Sequence, residues 1–353
     1  MPNLSWIEQV EELSPAALTV RAQTISPDDN GQLLWPIFMP RADVDSIHLR
    51  DAIASNRRPA ADRREWNGRG RLIPVSTPAL REMTMVPIEA YDQIEEYEMQ
   101  MLRERTLGGN ADQVRNLLQV SIPQRVDGLV EADFRRLELD VFGAWANGTI
   151  VQRDPQTGRS FTASYGIDSS RYATASTAWD TADFDAYGAF LAWYESAIER
   201  SGQGRGALLR LAVIREIQRA APTLMGGVAM TRAQLADRIS QDLGQPFQFF
   251  IVENTVDVFT DGGTATTTTK VWPQAKVAFV PANGQVGVTA FAPVARAMDI
   301  ADEVPEAGVD IRGATVFYKG DNMGRELTME AQLNAFPVPD ANRVEVIDTG
   351  VTP

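Results

Sequence analysis

The sequence predicts an α+β chain, and three observations carry that reading. One apolar stripe runs along residues 126–145 at helical spacing. A strand-turn-strand pattern follows it directly, over residues 149–166. From residue 208 short strand-like and helix-like patterns alternate in a mixed α/β arrangement. The chain has 353 residues, which at roughly 150 residues per domain gives about two domains and room for a sizeable core.

Residues 1–60 read as an arm. Short apolar clusters (Leu33-Leu34-Trp35 and Ile37-Phe38-Met39) are separated by Pro27, Pro36, Pro40 and Pro59, with no sustained helical period. Such a segment must bury its tryptophans on the rest of the chain or on a neighbouring copy. Residues 72–88 alternate, and Pro74, Pro78 and Pro87 confine them to a sheet edge or an exposed two-stranded excursion. Ile94, Tyr97 and Met101, among the acids of residues 89–98, predict a helix ending at Gly108-Gly109, with a short continuation marked by Val114, Leu117 and Leu118.

The clearest element is the helix over 126–145. Val126, Val130, Phe134, Leu137, Val141 and Trp145 form its stripe, while Glu131, Arg135, Arg136, Glu138 and Asp140 are expected to face elsewhere. Pro123 precedes it and Asn147-Gly148 closes it. Glu131 and Arg135 make a favourable i, i+4 pair. Asp154-Pro155 and Thr157-Gly158 then mark a hairpin, and a helix is expected over about 182–200. Residues 208–213 and 247–259 read as strands, 214–221 and 232–243 as helices, and the strands 276–280 and 286–291 flank Asn283-Gly284. The last stretch, 325–348, alternates again, with Pro337 and Pro339 at a corner. No internal repeat is visible.

Composition excludes several classes of function. With 33 cations against 47 acids the net charge is −14, unlike a protein that grips nucleic acid backbone or an anionic membrane surface. There is no cysteine and one histidine, His48, so thiolate chemistry and His–His metal pairs are out and little remains for acid–base work near neutral pH. An enzyme is therefore the weaker reading. Met1 to Leu4 run into Trp6, Ile7 and the acids Glu8, Glu11 and Glu12, unlike a secretory signal. No large removable prefix is expected either. Even the apolar run 208–214 is broken by Arg210, far short of the ~20 residues of a membrane span. The chain reads as soluble and made in a cytoplasm.

Candidate motifs mostly dissolve on inspection. The glycines of Gly202-Gln203-Gly204-Arg205-Gly206 follow a helix and precede a strand, the reverse of a dinucleotide fingerprint, and read as a linker. Gly262-Gly263 with Lys270 lacks the Ser or Thr that a P-loop needs after its lysine. Asp180, Asp183 and Asp185 lie where a helix begins and read as caps, not cation ligands. His48, with Asp45 and Asp51 to either side, reads as a surface or packing residue, because no G-x-S-x-G nucleophile elbow occurs. No cofactor or metal is implied. A carboxylate pair of the glycosidase kind cannot be singled out among so many acids.

Two features of the basic residues stand out. Lys270, Lys276 and Lys319 are the only lysines. Residues 57–71, RRPAADRREWNGRGR, gather Arg57, Arg58, Arg63, Arg64, Arg69 and Arg71 inside an acidic protein. A solvated loop, a nucleic-acid contact and docking onto an acidic partner surface all fit that cluster. The overall charge weighs against nucleic acid, and the acidic stretch 89–98 of a neighbouring copy offers a complementary face.

The order of these elements resembles the major capsid proteins of tailed phages, of the phage lambda type of the Hong Kong 97 (HK97-like) capsid fold. WNGRGRLIPVSTPALREMTMVPI (66–88) is similar to that family's extended loop, and the 126–145 helix followed by TIVQRDPQTGRSFTASYG (149–166) to its spine helix and hairpin. Trp179-Asp180, VWPQAKVAFVPANGQVGVTAFAP (271–293) and FPVPDANRVEV (336–346) resemble its later segments. The likeness runs from about residue 31 onward.

The resemblance implies an N-terminal arm (1–60), an extended β-hairpin loop (61–90), a spine-helix peripheral domain (91–180), an α/β axial domain (181–310) and a C-terminal return to the peripheral domain (311–353). It implies a non-enzymatic protein that self-assembles, as hexamers and pentamers, into an icosahedral head shell enclosing double-stranded DNA without sequence-specific binding. Scaffold, portal and a decoration protein are the implied partners, with no membrane; assembly is in the bacterial host cytoplasm and the destination is the virion. The arm and loop are expected to reach neighbouring subunits, with inter-subunit contacts at Trp35, Phe38, Arg63, Arg64, Arg69 and Arg71. Some shells of this fold lock a loop lysine to a neighbour's asparagine; the loop here has no lysine, so a shell without that crosslink is expected. Another phage-derived structural component (a protein-cage shell, a tail or portal element) is the second reading, and a carboxylate-based hydrolase the third.

Overall fold

The computed structural model describes residues 13–25, 33–53, 79–94, 111–153, 160–222, 230–259, 266–320 and 327–352. In chain order the elements are α1 (Pro15–Thr24), a one-turn helix α2 (Trp35–Phe38), β1 (Arg41–Asp43), β2 (His48–Ile53), β3 (Ala79–Thr84), β4 (Ile88–Ile94) and the spine helix α3 (Ala111–Asn147). Then follow β5 (Thr149–Arg153), β6 (Ser160–Ser164), β7 (Tyr172–Thr174), α4 (Ala186–Ser201), β8 (Gly204–Leu209), α5 (Leu211–Ala220), α6 (Arg232–Leu243), β9 (Gln248–Ile251), β10 (Thr255–Phe259) and β11 (Thr266–Lys270). The chain finishes with β12 (Lys276–Pro281), β13 (Gly287–Phe291), α7 (Ala295–Glu303), β14 (Thr315–Gly320), β15 (Leu327–Leu333), β16 (Ala335–Pro339) and β17 (Val346–Asp348).

The spine helix is longer than its apolar stripe. All six stripe residues are buried, but α3 has 37 residues and runs through Pro123 instead of starting after it. At 1.5 Å per residue it is about 55 Å long. A proline inside a helix removes one backbone hydrogen bond; burial of Ile122 and Val126 on either side outweighs that loss. A second correction concerns its polar residues: Glu138 and Asp140 are buried, as is Asp133, so the acids do not all face solvent.

A mixed five-stranded sheet, in the order β7-β17-β12-β8-β9, separates two cores. Successive side chains of a strand point to opposite faces, and the partition follows. Leu208, Ala278, Val280 and Val346 join the core around α3, together with Phe142, Trp145 and Trp272. Ala207, Leu209, Val277, Phe279 and Ile347 join the core under α4, α5 and α6, which holds Trp179, Phe190, Trp193 and Tyr194. Of the three glycines in 202–206, Gly202 ends α4 and the other two belong to this sheet, against the reading of a linker. Gly204 and Gly206 lie inside β8, and a Cβ on Gly206 would sit 1.9 Å from the Gln248 carbonyl oxygen, so only glycine allows β8 and β9 to pair there.

Two three-stranded sheets complete the body, β1-β13-β16 and β14-β15-β4. Strands β12 and β13 flank Asn283-Gly284 but enter different sheets. Pro337 and Pro339 lie within β16, an edge strand, where a missing N–H is tolerated. Residues 88–94 form a strand, not the start of a helix: β4 pairs with β15 from Ile88↔Leu333 to Ile94↔Leu327, and Glu89, Tyr91 and Gln93 point outward. The remainder of the expected helix, to residue 109, lies outside the described residues. The predicted hairpin is present as the antiparallel pair β5–β6. The 247–259 stretch is two strands, β9 in the large sheet and β10 in a ribbon with β11.

Candidate assembly surfaces

The described part of the first sixty residues lies on its own chain. Ser14 caps α1 by accepting from the Ala17 N–H at 3.2 Å. From α1, Thr19 exchanges hydrogen bonds with the backbone of Val316 and Gln23 holds the backbone of Asp310 at both N–H and C=O. Arg21 grips Asp127 of the spine helix with two bonds of 2.8 and 2.7 Å. Further on, β1 pairs in parallel with β13.

Trp35 and Phe38, expected to pack on neighbouring copies, are 1% and 2% exposed within this single chain. Trp35 stacks on Phe291, and Phe38 sits among Phe142, Trp145 and Phe250 with ring centroids 5.2 to 6.1 Å away. The correction has a clear cause. One helical turn, α2, turns both rings inward onto a spine that already presents aromatics, and burying about 200 Å² per ring is worth most where partners are preorganised.

Glu138 makes that turn possible. Its carboxylate accepts from the Leu34 N–H at 3.1 Å and from the Asn254 side-chain amide at 3.3 Å, supplying from the spine the cap that Leu34 itself does not provide. Burial raises its pKa to about 7, against the pull of those donors. Nearby on α3, burial and the charge of Glu89 hold Asp133 well above the usual carboxylate range.

The extended ribbon β2–β3 leaves the body from a small satellite core. Met83, Met85 and Leu49 pack there with Ile150, Ala163, Tyr165 and Phe336, so ribbon, β5–β6 hairpin and β16 share one apolar anchor. Arg312 braces its root, reaching Asp45 at 2.5 Å and the Val44 carbonyl at 3.1 Å. The strands converge at the Ile53↔Ala79 pair. Arg63, Arg64, Arg69 and Arg71 fall between those two positions and outside the described residues, as does all of 57–71. His48 is exposed on β2, with Nδ1 3.2 Å from the Thr84 hydroxyl.

The other candidate residues have structural tasks. Asp185 caps α4 through the Gly188 N–H at 2.8 Å. Asp180 instead accepts from the Thr352 N–H and hydroxyl at 2.9 and 2.6 Å, which lowers its pKa. Asp183 occupies a turn with φ 61°. Two charged groupings escaped sequence reading. Glu345, fully buried, lies between Arg171 at 2.8 Å and Arg200 at 2.9 Å. Arg210, 5% exposed, pairs with Glu253. Only the tertiary fold joins them, since Arg171 and Glu345 are 174 residues apart. Among the described residues no group of acids and histidine is placed to hold a metal ion, and no helix is long and apolar enough to cross a membrane.

A spine helix packed on two three-stranded sheets, a two-stranded ribbon and a five-stranded sheet between two cores make up the described fold. The putative capsid protein of a prophage of E. coli CFT073 matches 97% of this chain and 98% of its own at 11% identity, with a TM-score of 0.54. A phage-related protein from Bordetella bronchiseptica RB50 covers 95% and 97% at 13% identity (TM-score 0.48), and a virus-like particle from Pyrococcus furiosus 98% and 99% at 8% (TM-score 0.42). No curated protein matches the sequence. The family model described as phage major capsid protein E matches residues 15–346, and the chain belongs to that family. It is a major capsid protein with an HK97-like fold.

Proposed function

We propose that this chain builds the icosahedral head shell of a tailed phage as hexamers and pentamers, enclosing double-stranded DNA without reading its sequence. The family match over residues 15–346 carries this reading. The protein acts without a catalytic site: its work is repeated weak contact, with apolar patches for adhesion and arginines for register. The division into arm (1–60), extended loop (61–90), peripheral domain (91–180), axial domain (181–310) and C-terminal return (311–353) belongs to the same proposal. Arg63, Arg64, Arg69 and Arg71 dock on acidic surface of an adjacent copy; the outward face of β4, with Glu89 and Tyr91 exposed, suits that role. Scaffold, portal and decoration proteins are the partners, and shells assembled in the bacterial host cytoplasm end in the virion.

Electron microscopy of the purified protein tests the reading: closed icosahedral shells are expected, and rings, tubes or a discrete monomer would overturn it. Replacing Arg69 and Arg71 by Glu should leave a folded subunit that assembles poorly; normal particle yield would remove the docking role. On a denaturing gel mature particles should run as one band at the 38.8 kDa monomer, because the loop carries no lysine for a crosslink.

A further inference from the structure

A cleft of about 490 Å³ opens at the C-terminal end of the spine helix. Leu139, Gly143 and Asn147, at i, i+4 and i+8 on α3, form one wall, the turn 270–274 forms the other, and Arg210 lines it between them. Three features of this cleft bear on what it can hold.

The first is Gly143. It lies inside a 37-residue helix, where glycine is the poorest choice short of proline, yet a Cβ built on it meets nothing within 4 Å. As at Gly128 of the same helix, no neighbour in this subunit needs the glycine, and at Gly143 the open helix backbone faces the cleft.

The second is the charge. The lining holds Arg210 and Lys270 and no carboxylate. Arg210 is 5% exposed; its Nη1 donates to Gln274 at 3.2 Å and its Nη2 meets Glu253, while its buried Nε has no hydrogen-bond partner. Lys270, paired through its backbone with Thr255 at the end of β11, is exposed, and its charge shares Glu253 with Arg210, so one carboxylate faces two cations. Lys276 adds a third cation behind the wall, donating to Asn147 Oδ1 at 2.6 Å and to the Ala146 carbonyl at 2.8 Å.

The third is where the lysines are. Two of the chain's three converge on this cleft, in a protein of net charge −14. A cationic recess in a chain with 47 acids against 33 cations is complementary to acidic stretches of a second copy.

We propose that this cleft is a socket for an acidic segment of a second copy of the chain. An acidic side chain enters past Lys270 toward Arg210, and its backbone rests on the helix at Gly143. Leu139 and Trp272 supply the apolar wall that excludes water from the charge pair. The proposal deepens the shell-forming reading and rests on it for the identity of the partner.

The test uses the full-length chain and two substitutions, Gly143→Leu and Lys270→Glu, read by the melting temperature of the unassembled subunit and by the assembled fraction in sedimentation. Gly143→Leu should raise the subunit's melting temperature by about 2 °C while lowering the assembled fraction at least about fivefold. A purely structural glycine would move both in the same direction. Lys270→Glu, beside Glu253, should lower melting by no more than about 2 °C and reduce assembly comparably, with a smaller salt dependence than the unmodified chain. Assembly of both variants at normal yield overturns the socket while leaving the shell reading intact. A lower melting temperature for Gly143→Leu overturns it as well. Unchanged particles that lose only their DNA when Lys270 is reversed assign the cleft to phosphate instead. If the unmodified chain forms assemblies that are not closed shells and both variants weaken them, the shell reading fails and the socket stands.

Discussion

The two sides of the five-stranded sheet bury a carboxylate in different company. On the side of α3, Glu138 faces only uncharged donors, the Leu34 N–H and the Asn254 amide. On the side of α4, Glu345 is flanked by two guanidiniums, from Arg171 and Arg200, with Ser201 donating at 3.1 Å. Burial raises the pKa of both. Neutral donors answer it weakly at Glu138, whose value reaches about 7, whereas at Glu345 two opposite charges oppose it directly. The difference follows from what each acid joins. Glu138 fastens a segment that arrives as bare backbone, while Glu345 joins the ends of formed elements, where arginine stems lie along the surface and reach inward. The α3 side therefore answers to protons and the α4 side to loss of a partner.

The largest effect expected on this comparison is at the segment Glu138 holds. Trp35→Ala should destabilise the unassembled subunit by about 4 kcal/mol, measured by urea unfolding. An unchanged subunit with impaired assembly would instead return Trp35 to an interface between copies. Glu345→Ala leaves Arg171 and Arg200 facing a buried gap and should cost about 3 kcal/mol, again by urea unfolding and with little dependence on pH above neutrality.

Glu138→Gln isolates the proton-sensitive side. The folded pKa of Glu138 lies above its unfolded value, so its stabilisation is complete below about pH 4.5 and is lost as pH rises toward about 7. The unmodified chain should lose up to about 3 kcal/mol relative to the Gln variant across that interval. Parallel stability profiles for the two would show that Glu138 does not titrate there. The smallest effect belongs to the solvent-exposed pair on the same helix. Glu131 and Arg135 stand 3.3 Å apart with both side chains about half exposed, and Glu131→Ala should change stability by about 0.3 kcal/mol, vanishing in high salt.

Much of the fold was legible along the chain. The stripe 126–145 is the buried face of α3, the runs 149–153 and 160–164 do pair as antiparallel strands, and the alternating C-terminal stretch is strands. What misled was local polarity and local punctuation. Pro123 reads as a boundary, yet α3 passes through it. The acids at 89–94 read as helical, but pairing with β15 decides for strand. Glycines 202–206 read as a linker, yet Gly206 is demanded by the backbone of Gln248 on a neighbouring strand and Gly204 by the rings of Tyr194 and Phe279. Glu138 reads as an outward charge, and nothing near it in sequence announces the N–H groups it caps.

The sequence alone determined the periodic elements, the scarcity of lysine and histidine, and the ordered likeness to capsid shells, because each depends on neighbours a few residues apart or on composition. Tertiary structure decided which partners those elements meet: Trp35 and Phe38 in the chain's own core, Glu345 between two arginines, two cores divided by one sheet, and a cationic cleft at Gly143. The reason is physical. Backbone periodicity is set by local sterics and hydrogen bonding, whereas desolvation and pairing depend on groups that only folding brings together.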